Sequence, residues 1–171
     1  MSEPTASEAR AIVARLAKAL DADDFAGARA CLDDACVYVG RDHTWRGPDA
    51  IMGSYAEASA WGHRTFDEVR YESEVGPGTG PTVSVTFVDY LLKAGRRWHR
   101  YRCRQEFMVG AQGRIVRITH HELPGEREGL EGYFRECGIE RQPASRAVVE
   151  WQHAPAHVEG PRAPPPLNDR G

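Results

Sequence analysis

The sequence predicts an α+β domain, with helices first and an antiparallel sheet after them, on three observations. Apolar residues recur at helical spacing only in the N-terminal third and again just after Pro124. Strand-type alternation runs from Thr65 to Glu122. Within that stretch, Arg96 to Glu122 folds back on itself at a GAQG loop, the pattern of a long hairpin.

Taken in order, Ser7 is positioned to cap a first helix in which Ile12, Val13, Leu16 and Leu20 return on one side. The acidic run Asp21 to Asp24 interrupts it, and Asp23 or Asp24 caps a shorter helix with Phe25, Ala28 and Leu32 on one face. Ala35 to Gly40 is rich in β-formers and reads as a strand, followed by the loop RDHTWRG. Pro48 suits the first turn of a third helix carrying Ile51, Tyr55, Ala58 and Trp61 along one side, with Gly62 as its stop. Thr65 to Val75 and Thr82 to Lys93 read as strands separated by a break at GPGTGP. After the hairpin, Pro124 ends the last strand, and Glu126 to Cys137 forms a closing helix with Leu130, Tyr133 and Phe134 as its contacts. From Pro143 onward proline excludes regular structure, so 1–142 is expected to be the domain and 143–171 a largely flexible tail.

Residues two apart on a strand share a face. On the first hairpin strand His99, Tyr101, Cys103, Gln105, Phe107 and Val109 fall on one side, and Arg100, Arg102, Arg104 and Glu106 on the other. Val116, Ile118, His120 and Glu122 fall together on the second strand. Aromatics, a histidine and carboxylates on one face describe a pocket wall better than a plain core.

A chain of 171 residues, 41% hydrophobic and 27% charged, is that of one soluble globular domain. A net charge of -3 and the lack of any recognition motif make a nucleic-acid partner an unfavourable reading. No stretch approaches the roughly 20 apolar residues of a membrane span. The polar N-terminus is not a secretory signal, so the cysteines read as reduced thiols of a cytoplasmic protein. Cys31, Cys36, Cys103 and Cys137 lack zinc spacing, and the adjacent His120 and His121 diverge on a strand, so no metal and no cofactor is expected.

The segments ALDADDFAGARACLDDACVYVG, WRGPDAIMGSY and GRIVRITHHE carry a resemblance to the NTF2-like fold, and to its SnoaL-like branch in particular, over roughly residues 7–137. The resemblance implies a conical barrel, a curved antiparallel sheet with three helices over its concave face, enclosing a ligand pocket. It also implies homodimers formed through the sheet. Ketosteroid isomerases, scytalone dehydratase, limonene epoxide hydrolase and polyketide cyclases belong to this fold, as do proteins that only bind. In correspondence with the isomerase, the general base falls at Val39, the oxyanion tyrosine at Leu16 and the neutral aspartic acid near Gln105, and only the supporting tyrosine is kept, at Tyr55. In correspondence with the epoxide hydrolase, the first aspartate is kept at Asp89, while its arginine falls at Phe87 and its second aspartate at His120. Neither known catalytic set is complete.

The candidate chemistry is therefore an acid-base pair of its own. Val85, Phe87, Asp89 and Leu91 share the pocket face, and His120 and Glu122 point the same way, so Asp89 is expected to orient His120 as a general base. Tyr55 or Tyr101 would hydrogen bond a substrate oxygen, with Phe87, Cys103, Gln105, Glu122 and Trp61 as further wall or rim. The expected ligand is a small hydrophobic, oxygen-bearing compound, and the expected activity a cofactor-independent isomerase, dehydratase, cyclase or hydrolase. The competing expectation is a non-catalytic domain in which Asp89 and His120 merely satisfy each other. The arginine row Arg96, Arg100, Arg102 and Arg104 reads as a solvated outer face or half of a dimer interface.

Overall fold

The structure is a computed structural model that describes residues 2–41 and 43–139; the expected tail lies outside the described residues. In chain order the elements are α1 (Ala6–Asp21), α2 (Phe25–Arg29), β1 (Leu32–Val39), β2 (Thr44–Arg46), α3 (Pro48–Thr65), β3 (Glu68–Thr79), β4 (Thr82–Leu92), β5 (His99–Val109), β6 (Ile115–Glu122) and α4 (Glu126–Glu136). The strands form one curved, open sheet in the order β2-β1-β6-β5-β4-β3. Every neighbouring pair is antiparallel except β1 with β6, which run parallel. This α+β architecture is the NTF2-like one.

Local chemistry explains most boundaries. Thr5, not Ser7, caps α1, in a capping box where the Glu8 N–H donates to Thr5 Oγ1 and the Thr5 N–H to Glu8 Oε2. Ala9, Val13, Leu16, Ala17 and Leu20 then turn inward at helical spacing, and α1 lies across β3 and β4. Asp24 caps α2, accepting from the Gly27 N–H at 2.9 Å. Gly62 does not stop α3, which runs to Thr65; the missing side chain there makes room for Tyr71, whose hydroxyl would lie 3.0 Å from a Cβ. Lys93 Nζ instead meets the open end of α3, donating to the Thr65 carbonyl at 2.7 Å. His63 lies in the last turn of the helix.

Three other expectations fail for reasons of strand pairing. The GPGTGP segment does not interrupt β3; a shift of register between Val75 and Gly78 absorbs the glycines, and only Gly80-Pro81 turns. A second shift at Met108/Val109 puts Ile115, not Val116, into the core beside Ile118. The short strand β2 sits inside the stretch read as a loop, paired to β1.

The main core lies between α1, α3 and the concave face of the sheet, with Phe107, Ile118, Val83, Val85 and Leu16 fully buried. A smaller core forms under α4 from Phe66, Leu91 and Tyr133. Trp61 belongs there, edge-on to Phe66 and Phe134 with ring centroids 5.8 and 5.6 Å apart, which removes it from the pocket rim where it was expected.

α4 is also pinned electrostatically. Arg102 donates to Glu126 through its backbone N–H (2.9 Å) and through Nε (2.7 Å), so this member of the arginine row is engaged within the chain. Glu126→Ala is expected to lower stability by about 1–3 kcal/mol, measured as a shift in urea midpoint at unchanged slope. A loss below roughly 0.3 kcal/mol would place the whole attachment of α4 in its apolar contacts. Elsewhere in the row region, the Arg70 guanidinium stacks over Trp98 at 4.8 Å.

Candidate functional site

Curvature of the sheet leaves a cavity of about 220 Å³ between its concave face, α3 and the α1–α2 turn. Alternation on β4, β5 and β6 delivers Phe87, Asp89, Tyr101, Cys103, Gln105, His120 and Glu122 to it, and α3 delivers Tyr55. These are the side chains expected from the sequence, Trp61 excepted. The wall also holds Trp45, and with it Tyr38, Tyr71, Arg41, Asp21, Asp23 and Ser59, which sequence reasoning missed. Tyr71 had a usable signal, since it falls on the apolar phase of an alternating strand, whereas both phases around Tyr38 are apolar. Asp21 and Asp23 had none, because their position depends on how α1 lies over β3.

The centre of the cavity is a hydrogen-bonded chain. Tyr55 Oη donates to Gln105 Oε1 at 2.6 Å, and Gln105 Nε2 donates to Tyr38 Oη at 3.3 Å. Tyr38 is stacked between Trp45 and Tyr55, its ring 5.0 and 5.6 Å from theirs. Burial holds the Tyr38, Tyr55 and Tyr101 hydroxyls above the usual phenol range, so all three remain protonated donors.

On one side of this chain stand His120 and Glu122. Two residues apart on β6, they bring His120 Nε2 to 3.5 Å from Glu122 Oε1, and Tyr101 Oη donates to Glu122 Oε2 at 3.5 Å. The hydrogen bond from His120 holds the Glu122 carboxyl below its ordinary range, with help from the charges of Arg127 and Arg41. His120 Nδ1 is buried with no partner among the described residues. His121 faces outward, 3.2 Å from Glu106 Oε2.

On the other side stands Asp89. Its register partners are Tyr71 on β3 and Tyr101 on β5, so a tyrosine flanks it on either strand. It makes no hydrogen bond among the described residues. Burial, and then the nearby Asp21, push its carboxyl up to about 7. Asp21 is itself raised by burial; its Oδ2 accepts from Ser73 Oγ at 2.5 Å, while Oδ1 is buried without a partner. Asp23 adopts φ 54°, a left-handed conformation that aspartate tolerates better than most residues. There it accepts from Ser59 Oγ at 2.7 Å and lies 3.0 Å from His63 Nε2.

The expected Asp89–His120 pair does not form. His120 sits opposite Gln105, which sits opposite Val85, four residues along β4 from Asp89. Two strand spacings amount to about 10 Å before that offset is added. The two groups are separate poles of one cavity. Among the described residues no three His, Cys, Asp or Glu side chains are arranged to hold a metal. No described helix is long and apolar enough to cross a membrane.

Among curated proteins none matches the sequence. Solved structures do share the fold. An LEH-like epoxide hydrolase of M. tuberculosis superposes with a TM-score of 0.57 at 21% identity, covering 81% of this chain and 95% of its own. A candidate polyketide cyclase of Pseudomonas putida gives 0.53 at 14% identity, over 70% of this chain and 94% of its own. A de novo designed protein with a curved β-sheet gives 0.53 at 16% identity, over 78% of this chain and 99% of its own. Likeness to a designed protein shows that these matches speak to the fold alone. The sequence model of the SnoaL-like domain matches residues 13–118, which include every cavity-lining residue except His120 and Glu122, and the chain belongs to the SnoaL-like family.

Proposed function

We propose that this protein is an acid-base enzyme acting on a small hydrophobic, oxygen-bearing molecule, with Asp89 as the group that takes and returns the proton. The observation that carries the reading is Asp89 itself: a carboxyl without a partner, opening onto the cavity and titrating near neutrality. A general acid-base group works best with a pKa near the working pH. In its ionised form Asp89 would take a proton from carbon next to a carbonyl. Tyr101, or Tyr38 beyond it, would donate to the oxygen on which charge develops. His120, held by Glu122 at the opposite pole, would protonate a departing hydroxyl so that it leaves as water. Two poles separated by an aromatic wall suit dehydration or cyclisation better than a proton shuttled by a single carboxylate.

The test uses enolisable ketones in D2O, with loss of the C–H signal followed by NMR. Asp89→Asn is expected to slow exchange about 10²- to 10⁴-fold against wild type. Exchange at the wild-type rate in that variant would remove Asp89 from the role. The competing reading is a binding-only domain, favoured by the Tyr55–Gln105–Tyr38 chain, whose polar groups already satisfy one another. It predicts that ketones bind without exchanging in any variant.

We infer separately that the protein is cytoplasmic and pairs into a homodimer through the outer sheet face. Arg100 and Arg104 of β5 share the outer sheet face with Glu72 and Glu74 of β3, and Met108 is 42% exposed beside them. An antiparallel pairing of two such faces would set arginine against glutamate. Light scattering is expected to give twice the chain mass, and Arg104→Glu to shift it toward one.

A further inference from the structure

The charge of the cavity changes sign from one pole to the other. The lining residues able to carry positive charge are Arg41 and His120, and both act on Glu122. The opposite pole holds Asp21, Asp23 and Asp89. Asp23 is matched by Ser59 and His63. Asp21 and Asp89 are not: among the described residues one oxygen of Asp21 is buried without a partner, and Asp89 accepts no hydrogen bond. The titratable groups that act on Asp89, or on which it acts, are Asp21 of α1, Tyr71 of β3, and Tyr101 and Cys103 of β5. None of these can carry positive charge. Two neighbouring carboxyls enclosed without a countercharge are stabilised either by keeping a proton or by accepting a cation. Among the described residues no three His, Cys, Asp or Glu side chains converge as metal ligands. Aromatic rings stand on both sides, Tyr71 and Tyr101 beside Asp89 and Phe87 two residues along β4. Carboxylates together with ring faces are the recognition chemistry of an organic ammonium group.

We propose that the ligand of this cavity carries a protonated amine, seated between Asp21 and Asp89 with its hydrocarbon part along the Phe87 and Tyr101 walls. The proposal rests on reading the cavity as a small-molecule site and adds the polar group by which the ligand is held. It also joins binding to chemistry. With the cavity empty, burial and then Asp21 hold Asp89 partly protonated; an ammonium between the two carboxyls opposes both influences and ionises Asp89. The group that anchors the substrate thereby produces the base that acts on a neighbouring C–H bond, the displaced proton going to solvent.

Calorimetric titration of the full chain with 2-phenylethylamine and with 2-phenylethanol, a neutral probe of nearly the same shape, tests this. Near pH 8 the amine is expected to bind about tenfold or more tighter than the alcohol. The preference should vanish at about pH 5, where Asp89 is protonated, and should shrink at least about threefold in Asp21→Asn. At about pH 7, buffers of different ionisation enthalpy should report proton release on amine binding. Equal affinities near pH 8, a preference for the alcohol, or no binding of either probe overturns the proposal. Should Asp21→Asn fail to fold, the wild-type pH comparison decides alone. Ketone exchange lost in Asp89→Asn without any amine preference would leave the acid-base reading standing and remove the amine.

Discussion

Phe107→Ala is expected to lower stability by about 3–5 kcal/mol. Phe107 is fully buried on β5, between Val83 of β4 and Ile118 of β6, both also fully buried. Its ring meets Phe87 edge-on, with centroids 6.2 Å apart. Truncation removes the transfer free energy of the ring and leaves a void among strands whose curvature prevents simple collapse. Against a total stability of about 5–15 kcal/mol, such a loss takes a large part of the margin. Thermal and urea denaturation measure it directly. A cost below about 1.5 kcal/mol would mean that the core repacks around the gap. Phe87, next to the void, also lines the cavity, so the variant is further expected to weaken ligand binding.

The same strand shows why so much of this fold could be read from the sequence. On β5 one phase is apolar and the other charged over the whole hairpin, and that contrast sets which face is concave. α1 is legible for the same reason at helical period. What was misread depends on contacts distant in sequence. β2 is three residues long and exists because β1 offers it an edge. β3 continues through glycines because β4 pairs with it on both sides of the register shift. Gly62 looks like a helix stop until Tyr71 is seen approaching it.

The candidate site divides along the same line. Which residues face the cavity follows from strand phase, and Asp89, Tyr101, Gln105 and His120 were found that way. Which of them touch follows from register between strands, and a sequence does not state register. The expected Asp89–His120 pair failed on that point. The partners that replace it, Glu122 for His120 and Asp21 for Asp89, are respectively local and remote. Glu122 lies two residues away on the same strand, whereas Asp21 arrives from the end of α1 once the helix has packed.

Asp89→Asn is expected to stabilise the protein at neutral and alkaline pH, while abolishing the chemistry assigned to Asp89. The folded carboxyl titrates near 7, far above its ordinary value of 3.8, because burial and Asp21 both oppose its charge. Between those two values the folded state holds a proton that the unfolded state has lost. Stability contributed by protonated Asp89 is therefore fully present below the unfolded pKa and is lost as pH rises through the folded one. Across that window wild type should lose on the order of a few kcal/mol relative to the asparagine variant, which has no proton to lose. Above the window the difference should stay constant. Paired urea titrations at closely spaced pH values from about 4 to about 8.5 would trace it. A pH-independent difference between the two proteins would show that Asp89 titrates alike folded and unfolded, and would remove the basis for both functional proposals. The predicted slope would show instead that the fold maintains a destabilising carboxyl in its cavity, a cost expected where activity requires an acid-base group at that position.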